Sequence, residues 1–280
     1  MKKTLLLLML FVTSQYLSSQ TIEELNSSGI ELAKKGEIDK AFLIFENAIQ
    51  LYPNSPGPYS NRGNIYRMRE EYKLAINDYS KSLELSPNSL DVRYARANTY
   101  IDSGDFELAI ADYTKIIEAN PSFPDIYFDR AYANIRLENF NEAKTDLETQ
   151  LQINPTDFKS LANLINIKKK LELYEEALAD YEKVIKDFPG QPNLHILYSN
   201  RASLYRDLKN YEEALVNVNI ALEIEKKYDI GLFNRAGIYL NLGEEKKACQ
   251  DFKNALKLNL EKNEHFKAGE YFEILSELCK

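Results

Sequence analysis

With 280 residues, 44% of them hydrophobic and 28% charged, and with only 10 Gly, 9 Pro and no Trp, the chain has the composition of a water-soluble folded protein. Collagen-like, mucin-like and disordered acidic classes are excluded by that balance. A formal charge of −8 argues against a general nucleic-acid binder, which needs basic surface to neutralise phosphates, and against attachment to anionic lipid.

The first element in chain order is a short apolar run, Leu5 to Val12, behind Lys2 and Lys3 and ahead of the small and polar stretch Thr13 to Gln20. That three-part layout predicts a secretory signal peptide over residues 1–19, cut after Ser19, with Ser14 as the other small residue able to precede the cut. Eight apolar residues are too few to span a bilayer, which takes about 20. The competing reading, a buried or amphipathic first helix, lacks any polar residue inside the run. No Cys lies near either cleavage site, so no lipid anchor on a mature N-terminal Cys is expected. The expected location is the periplasm or the cell exterior, without stable membrane insertion after cleavage. Loss of Lys2 and Lys3 moves the formal charge from −8 to −10.

Beyond the leader one period organises the chain. Pro53, Pro87, Pro121, Pro155 and Pro189 are spaced by 34 residues every time. Ala41, Ala75, Ala109, Ala143 and Ala177 repeat the same spacing, and the series continues at Ala214, after 37, and at Ala248, after 34. The three extra residues fit between Gln191 and His195, beside Pro192. Each period reads as a helical hairpin, for example about Gly57 to Glu70 and then Lys73 to Leu85. Gly63, Ala97, Ala131, Ala202 and Ala236 sit inside first helices, where bulk would hold the partner helix away. The prolines follow second helices, where a missing N–H and a locked φ end them.

A 34-residue period with small residues and a closing Pro resembles the tetratricopeptide repeat family from about Ile22 to Lys262. In the second period Tyr59, Gly63, Tyr66, Ala75, Tyr79 and Pro87 carry the resemblance; in the seventh Leu232, Ala236, Tyr239, Ala248, Phe252 and Ala255 do so without a closing Pro. Seven repeats follow: 22–55, 56–89, 90–123, 124–157, 158–191, 195–228 and 229–262. In the fourth and fifth, Asn134 and Lys168 replace an aromatic and Ile165 replaces a small residue, so looser packing is expected there. The implied fold is all-α, a right-handed α-solenoid of about seven hairpins, because one hairpin cannot bury its apolar face alone. Residues 263–280 are amphipathic, with Phe266, Tyr271, Phe272, Ile274, Leu275 and Leu278 among charges, and are expected to form a C-terminal capping helix.

A search for chemistry finds no active site. His195 and His265 belong to no metal-ligand spacing, and no nucleophile elbow, phosphate loop or dinucleotide fingerprint occurs. No enzyme activity, cofactor or metal is expected. Glu175 with Glu176 and Glu212 with Glu213 suit helix starts, where acids favour the dipole. Cys249 falls near the start of the last repeat's second helix and Cys279 near the end of the terminal helix. Antiparallel packing of those helices would permit a disulfide; the alternative is a buried thiol at Cys249 and a free one at Cys279.

Counted within repeats, Arg62, Arg96, Arg130, Arg201 and Arg235 hold the seventh place, and Asp78, Asp112, Asp146, Asp180 and Asp251 the twenty-third. The matched periods favour structural Arg–Asp pairs over a basic stripe for an anionic ligand. In the family the first helices line the concave face, and that resemblance maps a groove. Its sixth places are Ser27, Asn61, Ala95, Asp129, Asn163, Asn200 and Asn234, and its ninth places Ile30, Asn64, Asn98, Tyr132, Asn166, Ser203 and Gly237. The amides Asn61, Asn64, Asn98, Asn163, Asn166, Asn200 and Asn234 resemble the asparagine ladder with which some tetratricopeptide proteins hold extended peptides, since an amide both donates and accepts. Family sequence with no ligand attached is the other reading of them. Tyr94, Phe128, Tyr132 and Phe233 add aromatic surface, and Arg67, Arg136, Lys169, Lys170 and Arg206 add positive charge. The carboxylate clamp of some relatives is not reproduced, since Ala95, Asp125 and Asp129 stand where amide and basic groups are needed. The expected function is an exported scaffold binding a protein or peptide segment. A self-assembling subunit and an accessory glycan- or cell-wall-binding protein are the alternatives.

Overall fold

A computed structural model describes residues 20–190, 193–258, 260 and 270–280. The expected signal peptide, residues 1–19, lies outside the described residues, as do 263–269 of the expected terminal helix. The described residues form helices and no strands. In chain order these are α1 (Ile22–Lys34), α2 (Ile38–Leu51), α3 (Pro56–Met68), α4 (Tyr72–Leu85), α5 (Leu90–Ser103), α6 (Phe106–Ala119), α7 (Ile126–Arg136) and α8 (Phe140–Ile153). There follow α9 (Phe158–Lys170), α10 (Tyr174–Asp187), α11 (Leu194–Asp207), α12 (Tyr211–Ile224), α13 (Asp229–Asn241), α14 (Glu245–Lys257) and α15 (Glu270–Leu278). Two compact units meet at Gln150 and Leu151, in the last turn of α8.

The periodic residues take the steric roles their spacing implies. Ala41, Ala75, Ala109, Ala143, Ala177, Ala214 and Ala248 are all fully buried near the starts of second helices. A Cβ on Gly63 would stand 2.9 Å from Cε1 of Tyr79, and one on Gly29 only 2.4 Å from Cε1 of Phe45, so the helices approach too closely there for bulk. Pro53, Pro87, Pro121, Pro155 and Pro189 each lie two residues beyond a second helix.

Every hairpin turns through the same hydrogen-bonded motif. Gly36, Glu70, Gly104, Glu138, Glu172, Lys209 and Gly243 all have left-handed φ, between 59° and 86°. The following N–H reaches back five residues in each case: Glu37 to Leu32 at 2.9 Å, Asp105 to Tyr100 at 2.8 Å and Leu173 to Lys168 at 2.8 Å are three of the seven. This is the Schellman arrangement, which satisfies the last carbonyls of the first helix.

The arginines are architecture. Nε and Nη2 of Arg62 donate to Asp78 at 2.8 and 2.9 Å, and Arg96 to Asp112, Arg130 to Asp146 and Arg235 to Asp251 repeat the fork. The third nitrogen of each turns to the preceding repeat. Arg96 donates to Ser80 at 2.9 Å, Arg130 to Thr114 at 3.0 Å and Arg235 to Asn219 at 2.8 Å. Each guanidinium thus ties its own hairpin and joins it to the one before. In the fifth repeat Leu164 holds the arginine place, and Lys168, from the place otherwise aromatic, supplies the cation to Asp180 at 2.6 Å. In the fourth, Asn134 is buried and donates to Asp146 at 3.5 Å. Asn134 and Lys168 are thus absorbed into the same polar network, while the two helices of the fifth hairpin pack less closely on each other than those of the first, second, third, sixth and seventh, as the enlarged Ile165 led one to expect.

Two departures from the period have local causes. Helix α7 begins at Ile126, two residues late, because Asp125 before it takes a left-handed conformation that a right-handed helix cannot include. Asp125 caps it with a φ of 54° and accepts from Gln150 at 3.1 Å. The terminal helix is described from Glu270, not 263. Its Phe272 and Leu275 pack with Phe252, Phe233 and Ala236, and a disulfide joins Cys249 to Cys279 with Cα atoms 5.2 Å apart. It thus covers the apolar end of the last hairpin.

Candidate binding groove

The first helices of neighbouring hairpins touch through residues one repeat apart. In the first unit the hydroxyl of Tyr94 donates to Asp129 at 2.7 Å, Nε of Arg67 to Asp102 at 2.6 Å, and Asn61 to Asn26 at 3.5 Å. Tyr94 also packs on Phe123 and Tyr113, so its ring is a structural strut more than a free anchor. Burial, with the Asp129 bond, pushes its phenol up to about 12, and burial raises Asp129 itself. The ninth-place amides lie over second-helix tyrosines. Tyr79 donates to Oδ1 of Asn64 at 2.7 Å and Tyr113 to Oδ1 of Asn98 at 2.6 Å, leaving each amide its N–H donors. Phe128 is half-buried, and Tyr132, which accepts from Arg136 at 3.2 Å, is exposed.

The second unit differs at both ends. At its C-terminal end the groove is closed. Asn234 is buried and donates to the hydroxyl of Ser199 at 2.8 Å, and Phe233 is buried beneath Phe272, so neither faces a ligand as the sequence suggested. Tyr271 of α15 lies against Gly237, accepts from Asn241 at 2.8 Å, and carries the guanidinium of Arg206 4.4 Å from its ring centre. The terminal helix has no counterpart in the period, which is why the period could not foresee this closure.

At its other end the groove is open. Asn163 and Asn200 are half-buried and Asn166 is exposed, and none of the three makes a hydrogen bond among the described residues. Between α9 and α11 lies a pocket of about 240 Å³. Phe158, Ile165, Ile196 and Leu197 give it apolar walls, and Asn166, Asn200 and Tyr181 give it polar groups. Lys169, one turn beyond Asn166, makes no ion pair within 4 Å among the described residues, and burial lowers its pKa. Asn163, Asn166 and Asn200 are thus brought together on one face, while Asn234 is not among them.

Among the described residues no three His, Cys, Asp or Glu converge as metal ligands, and no helix is long and apolar enough to cross a membrane. Family models described as tetratricopeptide repeat match residues 58–89, 94–157, 196–228 and 231–262. The chain belongs to the tetratricopeptide repeat family. Its all-α solenoid recurs in the C-terminal part of a tetratricopeptide protein from Cytophaga hutchinsonii, with a TM-score of 0.72 at 20% identity, covering 91% of this chain and 99% of that one. A tetratricopeptide protein from Parabacteroides merdae aligns over 92% of this chain and 97% of its own, with a TM-score of 0.59 and 23% identity. YrrB, described as a tetratricopeptide protein with an unusual peptide-binding site, aligns over 67% of this chain and 95% of its own, with a TM-score of 0.57 and 22% identity. Among curated proteins, heat shock protein STI1 of Saccharomyces cerevisiae is 36% identical over 31% of this chain, and serine/threonine-protein phosphatase 5 of Mus musculus 33% over 32%. The matched stretches are 14% and 17% of those two proteins. Tetratricopeptide repeats are protein-interaction modules, and this chain is built of them.

Sequence reasoning passed over Tyr181. A signal existed: Asn at the ninth place and Tyr at the twenty-fourth occur together in repeats two, three and five, and in no other.

Proposed function

We infer that this protein is a non-enzymatic scaffold that holds an extended segment of another protein against its first helices. The signal-like N-terminus supports action outside the cytoplasm, in the cell envelope or beyond the cell. The observation that carries the reading is the set of unengaged amides, Asn163, Asn166 and Asn200, on one face beside a pocket with apolar walls. Such amides can donate to and accept from a peptide backbone whatever its sequence. The donors left on Asn64 and Asn98 extend the same chemistry within the first unit. The peptide-binding site in the description of YrrB agrees with this use of the fold.

The test is cross-linked affinity capture of the full chain from its native compartment, wild type against the triple variant Asn163→Ala, Asn166→Ala and Asn200→Ala. Recovery of the dominant partner should fall at least tenfold, on the order of one or two hydrogen bonds' worth of affinity, with the circular dichroism spectrum unchanged. Equal recovery removes the amides from the mechanism. Bait alone at a discrete multimeric mass would point to self-assembly.

A further inference from the structure

Of the three repeats that carry both the ninth-place Asn and the twenty-fourth-place Tyr, two close the bond between them and one does not. Tyr79 and Tyr113 donate to Asn64 and Asn98, whereas the hydroxyl of Tyr181 makes no hydrogen bond among the described residues and Asn166 stands exposed. Tyr181 is only 1% exposed as a residue, yet its unpartnered hydroxyl is not sealed from solvent and opens on the pocket that the ring lines. The cause lies at the eighth place. Gly63 and Ala97 occupy it in the bonded repeats and Ile165 in the fifth, where its side chain packs against Tyr181 and lines the pocket. The exception to the small-residue rule and the open Tyr–Asn pair therefore belong to one feature.

That feature has the dimensions and polarity of a side-chain receptor. Its volume of about 240 Å³ exceeds the roughly 150 Å³ in which an apolar protein cavity accommodates benzene. Among the described residues no charged side chain lines it, so a buried ionic group would go unpaired there. Hydroxyl and amide groups at its edge can bond the peptide units on either side of a seated side chain. Lys169, on the same face as Asn166, supplies a positive charge that makes no ion pair within 4 Å among the described residues, Asp207 acting on it only from farther off.

The geometry points to a specificity pocket, resting on the groove reading above: the fifth and sixth repeats seat one uncharged aromatic or large aliphatic side chain of the bound segment, with Tyr181, Asn166 and Asn200 bonding its flanking peptide groups and Lys169 pairing a carboxylate nearby. The partner is thus a segment with an apolar anchor residue beside an acidic group.

N-Acetyl-phenylalaninamide is the minimal probe, one ring between two peptide groups, titrated against the full chain with the methyls of Ile165 and Ile196 observed by NMR. Saturable shifts are expected, at least threefold tighter with N-acetyl-phenylalanine, whose carboxylate can reach Lys169, and absent with N-acetyl-lysinamide. Lys169→Ala should abolish the carboxylate's advantage. Tyr181→Phe, which keeps the ring and the packing, should weaken binding about fivefold, and Ala162→Phe, which fills the pocket from its wall, should abolish it. The absence of saturable shifts, or indifference to Ala162→Phe in a variant with wild-type helicity, overturns the pocket. Partner capture separates the two readings. A partner kept by Ala162→Phe but lost by the triple Asn variant overturns the pocket and leaves the groove standing, while one kept by both overturns the groove. If Ala162→Phe instead turns a dimer into a monomer in light scattering, the occupant is a second copy, and the proposal of a foreign segment falls.

Discussion

The guanidinium of Arg96 is held by Asp112 below and Ser80 behind, and the acid is itself 3% exposed and touched by Arg93 at 3.4 Å. Removing one partner of a buried pair leaves an uncompensated charge, so Asp112→Ala should cost about 3 kcal/mol, read as a lower urea midpoint. The sixth repeat permits the reverse experiment. There Arg201 donates to Asn217 at 2.6 Å, where four other repeats offer their arginine a carboxylate. Asn217→Asp should restore the fork and raise stability by about 1 kcal/mol, since charge-assisted bonds exceed neutral ones. The gain is offset in part by loss of the Asn217 bond to the carbonyl of Glu213 at 2.8 Å. An unchanged or lower midpoint would mean that the carboxylates are tolerated in this network and do not stabilise it. These pairs were legible in the sequence because Arg and Asp recur on one period. The substitution of Lys168 for both an arginine and an aromatic was not, because it trades one place for another four residues on.

At the scale of the element, the hairpin turn sets a different demand. Its left-handed residue is Gly at 36, 104 and 243 but Glu at 70, 138 and 172 and Lys at 209. A side chain in that conformation costs roughly 1–2 kcal/mol, part of which glycine returns through its greater unfolded freedom. Glu138→Gly and Lys209→Gly should each therefore stabilise by about 0.5–1 kcal/mol, and Gly104→Ala should destabilise by a similar amount, in thermal melts of single variants. A loss of stability in Glu138→Gly would show that its side chain matters more than its backbone. The turns were only half visible in the sequence. Three glycines mark them, while the other four rely on the hydrogen-bonded motif to hold an ordinary residue in place. The terminal helix offers a second test at this scale. Cys249 and Cys279 close a loop of sequence separation 30. Chain entropy alone then assigns the disulfide about 3–4 kcal/mol, and Cys279→Ser should lower the melting temperature of the second unit and expose Phe233 and Phe252 to a hydrophobic dye. If the variant melts like the wild type, apolar packing of Phe272 and Leu275 is what holds the helix.

At the scale of the whole chain, the period and the fold class were readable because their determinants are steric and local: alanines where helices cross, prolines where they end. The groove was readable only as a face. Which amides on it are unengaged depends on partners 15 and 35 residues away, such as Tyr79 for Asn64 and Ser199 for Asn234, and on a terminal helix outside the repeat. The same buried tyrosines that decide this give the protein a common weakness in alkali. Burial raises the phenols of Tyr79, to about 12, and of Tyr113, Tyr181 and Tyr228, because the phenolate is poorly solvated inside. A group whose folded pKa lies above its unfolded value of 10.0 contributes its full stability below that pH and loses it as pH rises toward the folded value. Helical circular dichroism should accordingly hold to about pH 10 and collapse between about 10 and 12. The buried tyrosines should give a cooperative rise in phenolate absorbance that coincides with unfolding. Tyr113→Phe should move that collapse to higher pH, since it removes the ionisable group and keeps the ring. If all 19 tyrosines titrate together near 10 with the helices intact, the interior is far more open to water than this packing allows.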